Sequence, residues 1–141
     1  MKVFLDSSVL LAASGSSRGA SRFLLLNAAA QRWSLVSSPY CVTEVVRNLG
    51  KLGAEAVEAW ERMVQPNFGL VSDTWTLDLP VSIPDKDRPV LLSALAQQCD
   101  TLLTLDRADF GSFFNTGIHG MAVMTPGDFL KSRAATNGHG K

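Results

Sequence analysis

This chain has few thiols, few imidazoles and no surplus of either charge, and each shortage closes off a class of function. Its two cysteines, Cys41 and Cys99, stand far apart without C-x-x-C spacing. That excludes a disulfide framework and a zinc cluster, and points to a reducing cytoplasm. The two histidines, His119 and His139, are too isolated to form a histidine-rich metal site. Lys plus Arg and Asp plus Glu number 13 each, a formal net charge of zero, which removes strong, indiscriminate attraction to nucleic acid. No apolar run is long enough to span a bilayer, since a charged residue interrupts every one. Met1-Lys2, with Leu11-Ala12-Ala13-Ser14-Gly15 downstream, imitates a secretory signal, but Asp6 falls where that signal would be apolar.

What remains is a globular composition: 46% hydrophobic, 18% charged, with a mean hydropathy of +0.12. A chain of 141 residues fits one domain, and at that size folding buries roughly two-thirds of the surface of the unfolded chain. Val3-Phe4-Leu5 predicts a buried strand that runs into a turn at Asp6-Ser7-Ser8. A loop at Ser14-Gly15-Ser16-Ser17 leads to a helix over Ala20 to Arg32, and Trp33 to Ser37 is a second strand stopped by Pro39. Tyr40 to Met63 predicts a helix pair broken around Gly50 to Gly53. Phe68 to Ser72 and Trp75 to Leu79 are strand-like, bounded by Pro80 and Pro84. Pro89 suits the first turn of a helix whose apolar face is Val90, Leu91, Ala94 and Leu95. Thr101 to Leu105 and Met121 to Met124 are further strands, separated by a short helical segment from Arg107 to about Phe114. Pro126 to Lys131 is a last helical turn. Strands alternating with helices predict an α/β fold, a single three-layer α/β/α sandwich with a mainly parallel central sheet. The domain is expected over residues 1–131, with a disordered tail at 132–141.

Four acids stand at the junctions of these elements. Asp6 ends the first strand, and ligand crevices in open α/β sheets lie outside the carboxyl ends of strands. Asp106 repeats the arrangement after Thr101-Leu102-Leu103-Thr104-Leu105. Glu44 lies on the early turns of the helix after the second strand, where the helix dipole alone would favour an acid by about 0.3–1 kcal/mol. Asp87, within Asp85-Lys86-Asp87-Arg88-Pro89, could equally be a helix cap. Gathered at one sheet edge, such carboxylates repel one another and one takes up a proton unless a cation neutralises them. Hard oxygen ligands select Mg²⁺ or Mn²⁺, and a cation so held suits phosphodiester hydrolysis. Among the basic residues, Arg18, Arg22, Arg32, Arg47, Lys51, Lys86, Arg88 and Arg107 are available for phosphates.

Taken together, the order and spacing of several segments resemble the PIN domain, the small metal-dependent ribonuclease fold of VapC-like toxins in type II toxin–antitoxin pairs. The segments are Val3-Phe4-Leu5-Asp6-Ser7-Ser8-Val9-Leu10, Thr43-Glu44-Val45-Val46-Arg47-Asn48-Leu49, Asp87-Arg88-Pro89-Val90-Leu91 with Ala94, Leu103-Thr104-Leu105-Asp106-Arg107-Ala108-Asp109-Phe110, and Met124-Thr125-Pro126-Gly127-Asp128-Phe129-Leu130. The resemblance covers Lys2 to Leu130. It implies that Asp6, Glu44, Asp87 and Asp106 are the catalytic, metal-binding acids, with Thr104 the hydroxyl beside them, Asp109 an auxiliary, and Ser7 and Ser8 steering a water or phosphate. Asp85 rivals Asp87, and the spacing to Pro89, Val90 and Ala94 favours Asp87. The implied substrate is single-stranded RNA, and the implied partners are an antitoxin protein and a second copy of the chain. The apolar helix pair with Trp60 and Met63 offers a surface for that homodimer.

Other readings fare less well. A haloacid-dehalogenase-like phosphatase needs an Asp where Ser8 stands, and a phosphorelay receiver needs paired acids at the first strand and a late Lys. The remaining alternative is a non-catalytic PIN-like module that binds RNA or protein without cutting.

Overall fold

The computed structural model describes residues 1–78 and 82–139. The chain builds β1 (Lys2–Leu5), α1 (Ser7–Gly15), α2 (Ala20–Gln31), β2 (Ser34–Ser37), α3 (Pro39–Leu49), α4 (Ala54–Ala59) and β3 (Gly69–Leu70). It continues through α5 (Arg88–Ala96), β4 (Thr101–Leu103), α6 (Arg107–Phe110), α7 (Phe113–Thr116), β5 (Ala122–Met124) and α8 (Pro126–His139). The five strands form one sheet in the order β3-β2-β1-β4-β5, and every pairing is parallel. Parallel neighbours need crossover connections, and the helices between the strands supply them. With helices on both faces, this is the three-layer α/β/α sandwich expected from the alternation of elements.

Alternation within single strands divides the core in two. Val3 and Leu5 of β1 pack with Leu35, Leu103 and the buried faces of α1, α2, α4 and α8, Phe129 included. Phe4, between them, points to the opposite face and packs with Val36, Leu102, Val123 and the α5 residues Val90, Leu91 and Ala94. Strands covered on both faces are near-continuous apolar runs, which is why Val3-Phe4-Leu5 and Leu102-Leu103 carry no polar residue. Trp60 is buried in the first cluster, tilted against Phe68 with ring centroids 5.8 Å apart. Its apolar character therefore serves the core, while Met63 remains exposed.

Two expectations need correcting. Trp75 to Asp78 forms no strand, and Leu79 lies outside the described residues. After β3 the main chain turns from the sheet: Thr74 N–H donates to Ser93 Oγ on α5 at 2.8 Å, and Asp73 accepts from Tyr40 N–H at the start of α3 at 3.1 Å. Contacts with helices replace the ladder a strand requires. The final helix also does not stop at Lys131 but runs to His139. Ser132 Oγ bonds back to Phe129 O at 2.9 Å, and Ala134 and Ala135 are strong helix formers. Gly140 and Lys141 lie outside the described residues.

One turn depends on glycine. Gly117 has φ +64°, and a Cβ there would meet the Met121 carbonyl oxygen at 2.7 Å, beside the reciprocal Ile118–Met121 backbone hydrogen bonds that lead into β5. Gly117→Ala should therefore destabilise the fold by about 1–3 kcal/mol, read as a lower midpoint in urea with an unchanged slope. A midpoint equal to the wild type would show that the turn relaxes freely.

Candidate metal centre

Strand order reverses between β1 and β4, the switch point where open parallel sheets place their ligands. A cavity of about 290 Å³ opens there, lined by Asp6, Ser7, Ser8, Leu11, Glu44, Asn48, Lys86, Asp87, Val90 and Asp106. All four acids singled out in the sequence therefore face one space.

Asp6 is held most firmly. It is 5% exposed and caps α1, with Oδ1 accepting from Ser7 N–H at 2.8 Å. Its Oδ2 accepts from Ser8 Oγ at 2.9 Å and Thr104 Oγ1 at 2.7 Å. Those hydroxyls are themselves fixed, since Ser8 Oγ accepts from Leu105 N–H at 3.0 Å and Thr104 Oγ1 from Asp106 N–H at 3.1 Å. One side chain thus both caps α1 and lines the cavity. Burial pushes the Asp6 carboxyl above its ordinary value; the three hydrogen bonds oppose this, and the Glu44 charge adds to it. Ser7 Oγ lies 3.4 Å from Asp6 Oδ1 and 3.3 Å from Glu44 Oε2, tying the two acids together. Glu44 sits in the second turn of α3, past the reach of the dipole that falls off within the first turn.

Across the cavity, carboxylate oxygens of Asp87, Asp106 and Asp109 lie within 4.8 Å of one another. Asp87 begins α5, but its side chain makes no capping hydrogen bond. It is 8% exposed, and its Oδ2 is buried without a hydrogen-bond partner among the described residues. Burial first, then the neighbouring Asp109, Asp6 and Asp106, push its carboxyl to about 7. Asp106 caps α6 by accepting from Asp109 N–H at 3.0 Å. Asp109 is held below the usual carboxylate range, mainly by its bond to Lys86, whose Nζ lies 2.9 Å from Asp109 Oδ2. Asp85, by contrast, is exposed and is not among the lining residues.

The donor set fits a hard divalent cation. It is all oxygen, carries several negative charges, and leaves one buried carboxylate oxygen unpartnered, each a feature that Mg²⁺ or Mn²⁺ would answer. A thiol nucleophile is disfavoured on physical grounds: burial pushes Cys41 up to about 12 and Cys99 up to about 11.

Of the lining residues, the sequence reading gave Asn48 no role and counted Lys86 only among several cations available to phosphates. Asn48 lies one turn beyond Glu44 and donates to the Glu44 carbonyl at 2.8 Å, so the i, i+4 spacing was the available signal. Lys86 is the only cation among the described residues that line the cavity, yet beside Asp87 it reads as an ordinary solvated charge. Arg88 and Arg107 are not among the lining residues. Arg107 lies 3.7 Å from Asp128 and over the Phe114 ring at 5.3 Å.

No family model matches the sequence, and no curated protein matches it. Solved structures do match in three dimensions. A chain of the VapBC2 complex of Rickettsia felis, bound to a DNA fragment from its promoter, superposes with a TM-score of 0.58 at 13% identity, covering 87% of this chain and 97% of that one. The VapC20 toxin of Mycobacterium tuberculosis, described as cleaving the sarcin–ricin loop, superposes with a TM-score of 0.51 at 16% identity, covering 85% of this chain and 98% of that one. The fold is therefore that of a PIN domain, of the kind found in VapC toxins.

Proposed function

We propose that this chain is a metal-dependent endoribonuclease that hydrolyses phosphodiester bonds of single-stranded RNA, with Mg²⁺ or Mn²⁺ held by Asp6, Glu44, Asp87 and Asp106. The observation that carries the reading is the convergence of these four acids on one cavity at the sheet's switch point. When bound there, such a cation lowers the pKa of a water and offsets charge on the phosphodiester. The residues of the chain do the rest. Ser7, Ser8 and Thr104 fix the Asp6 carboxylate, Asp109 supports Asp87 and Asp106, and Lys86 meets the substrate's phosphate as a point charge. Arg88 and Arg107 are assigned further phosphate contacts outside the cavity.

The likeness to a toxin that cleaves the sarcin–ricin loop and to a VapBC assembly supports a toxin role for this chain. Its partners would then be an antitoxin protein and a second copy of itself, and its compartment the cytoplasm. Among the described residues no helix is long and apolar enough to cross a membrane.

Labelled single-stranded RNA should be cut in Mg²⁺ while the same sequence annealed to its complement survives. Equal cleavage of both, or of neither, would reject the proposal.

A further inference from the structure

The coil after β3 carries an exposed tryptophan on a tethered backbone. Val71 N–H donates to Ser37 O at 2.8 Å, Asp73 accepts from Tyr40 N–H at 3.1 Å, and Thr74 N–H donates to the Oγ of buried Ser93 at 2.8 Å. Trp75 follows immediately, yet it stays 59% exposed. Its ring meets Tyr40 edge-to-face, with centroids 5.5 Å apart and planes at 81°. Fixing the main chain while leaving the indole in water forgoes the burial that ordinarily accounts for a tryptophan.

The location is informative. Tyr40 precedes Glu44 by four residues, so both lie on one side of α3. The Tyr40 hydroxyl donates to the Lys86 carbonyl at 2.6 Å, and Lys86 lines the acidic cavity. Glu44 and Asp87 lie close enough for their charges to help hold the Tyr40 phenol above its usual range, an effect led by burial. Tyr40 therefore reaches the main chain of Lys86 at the rim of the proposed catalytic cavity, and Trp75 packs edge-to-face on Tyr40.

We propose that Trp75, braced by Tyr40, is a stacking platform for an unpaired base of the RNA substrate close to the scissile phosphate. This rests on the ribonuclease reading and adds where the strand lies. Every base offers a π face, so the platform tolerates sequence, and a backbone running from ring to cavity passes the Lys86 ammonium, the charge a phosphate needs. A protein ligand would also cover an indole, but the adjoining Lys86 ammonium favours a sugar–phosphate chain.

The test is equilibrium binding of a short fluorescent single-stranded RNA by the full chain at low salt in EDTA. Trp75→Ala should weaken binding about 5- to 150-fold, while Trp75→Phe stays near the wild type. The dependence of affinity on salt should keep its slope in Trp75→Ala, because no phosphate contact is lost, and should shallow in Lys86→Ala. On an oligonucleotide of abasic residues, wild type and Trp75→Ala should bind alike. Unchanged affinity of Trp75→Ala for intact RNA would overturn the platform and assign the ring to a protein partner; an equal loss on the abasic strand would overturn it too. If metal-dependent cleavage fails while the Trp75 effect persists, the nuclease reading falls and the platform stands on a non-cutting RNA-binding module.

Discussion

Asp6→Asn should leave a folded protein whose RNA cleavage is reduced by more than about 100-fold. Residues that merely orient metal ligands are worth about 10–100-fold, and Asp6 is proposed as a ligand itself. The fold should survive for reasons visible around the side chain. An asparagine oxygen can still accept the 2.8 Å bond from Ser7 N–H that caps α1. The new amide N–H group faces Ser8 Oγ and Thr104 Oγ1, each a hydroxyl with a second lone pair that can accept after rotation. The lost charge is one that burial already disfavours. Cleavage rates measured beside thermal melts separate the two effects, and Asp106→Asn, at the edge of the same cavity, gives a second reading. Wild-type cleavage by Asp6→Asn would remove Asp6 from the machinery.

The second large effect is a divergence between stability and activity at Asp87. Its carboxyl is pushed to about 7 in the fold, against about 3.9 in an unfolded chain. Between those values the unfolded chain gives up its proton first, so the contribution of Asp87 to stability is intact below about 4 and lost as pH rises through 7. Asp87→Asn should flatten that dependence. In EDTA at pH 8 it should raise the melting temperature by a few degrees, the shift that ~1 kcal/mol produces in a domain of this length. Mg²⁺ should stabilise the wild type increasingly with pH and the variant hardly at all, while cleavage by the variant falls as it does for Asp6→Asn. Asp85→Asn, at an exposed position, should leave melting and cleavage unchanged. A variant Asp87→Asn that melts lower in EDTA, or responds to Mg²⁺ as the wild type does, would refute this assignment.

How much of this was legible in the sequence depends on what each residue's neighbours in the chain reveal. Asp6 and Asp106 could be read because each ends an apolar run, and a strand's carboxyl edge is where an α/β sheet binds ligands. The parallel sheet followed from strands separated by helices. Asp87 could be ranked above Asp85 only through family spacing, since both sit in a cap-like sequence; burial separates them, and burial is a property of three dimensions. Lys86 could not be ranked above the other cations for the same reason, since nothing local distinguishes an ammonium over an acidic cavity from one in water. Trp75 to Asp78 misled because apolar residues near a proline bound resemble a strand, whereas just before them Asp73 and Thr74 bond to Tyr40 and Ser93, distant in sequence, and lead the chain off the sheet. The continuation of α8 past Lys131 was obscured by Ser132 and the small polar residues after it.

Cleavage of single-stranded RNA by the wild-type chain, stripped with EDTA and then supplied with Mn²⁺, tests the central claim most directly. We expect cleavage to stop on chelation and to return with the metal, while a parallel preparation of Asp6→Asn stays silent in both. Full activity in EDTA, in a preparation shown free of host ribonuclease, would contradict a metal-dependent site at these four acids.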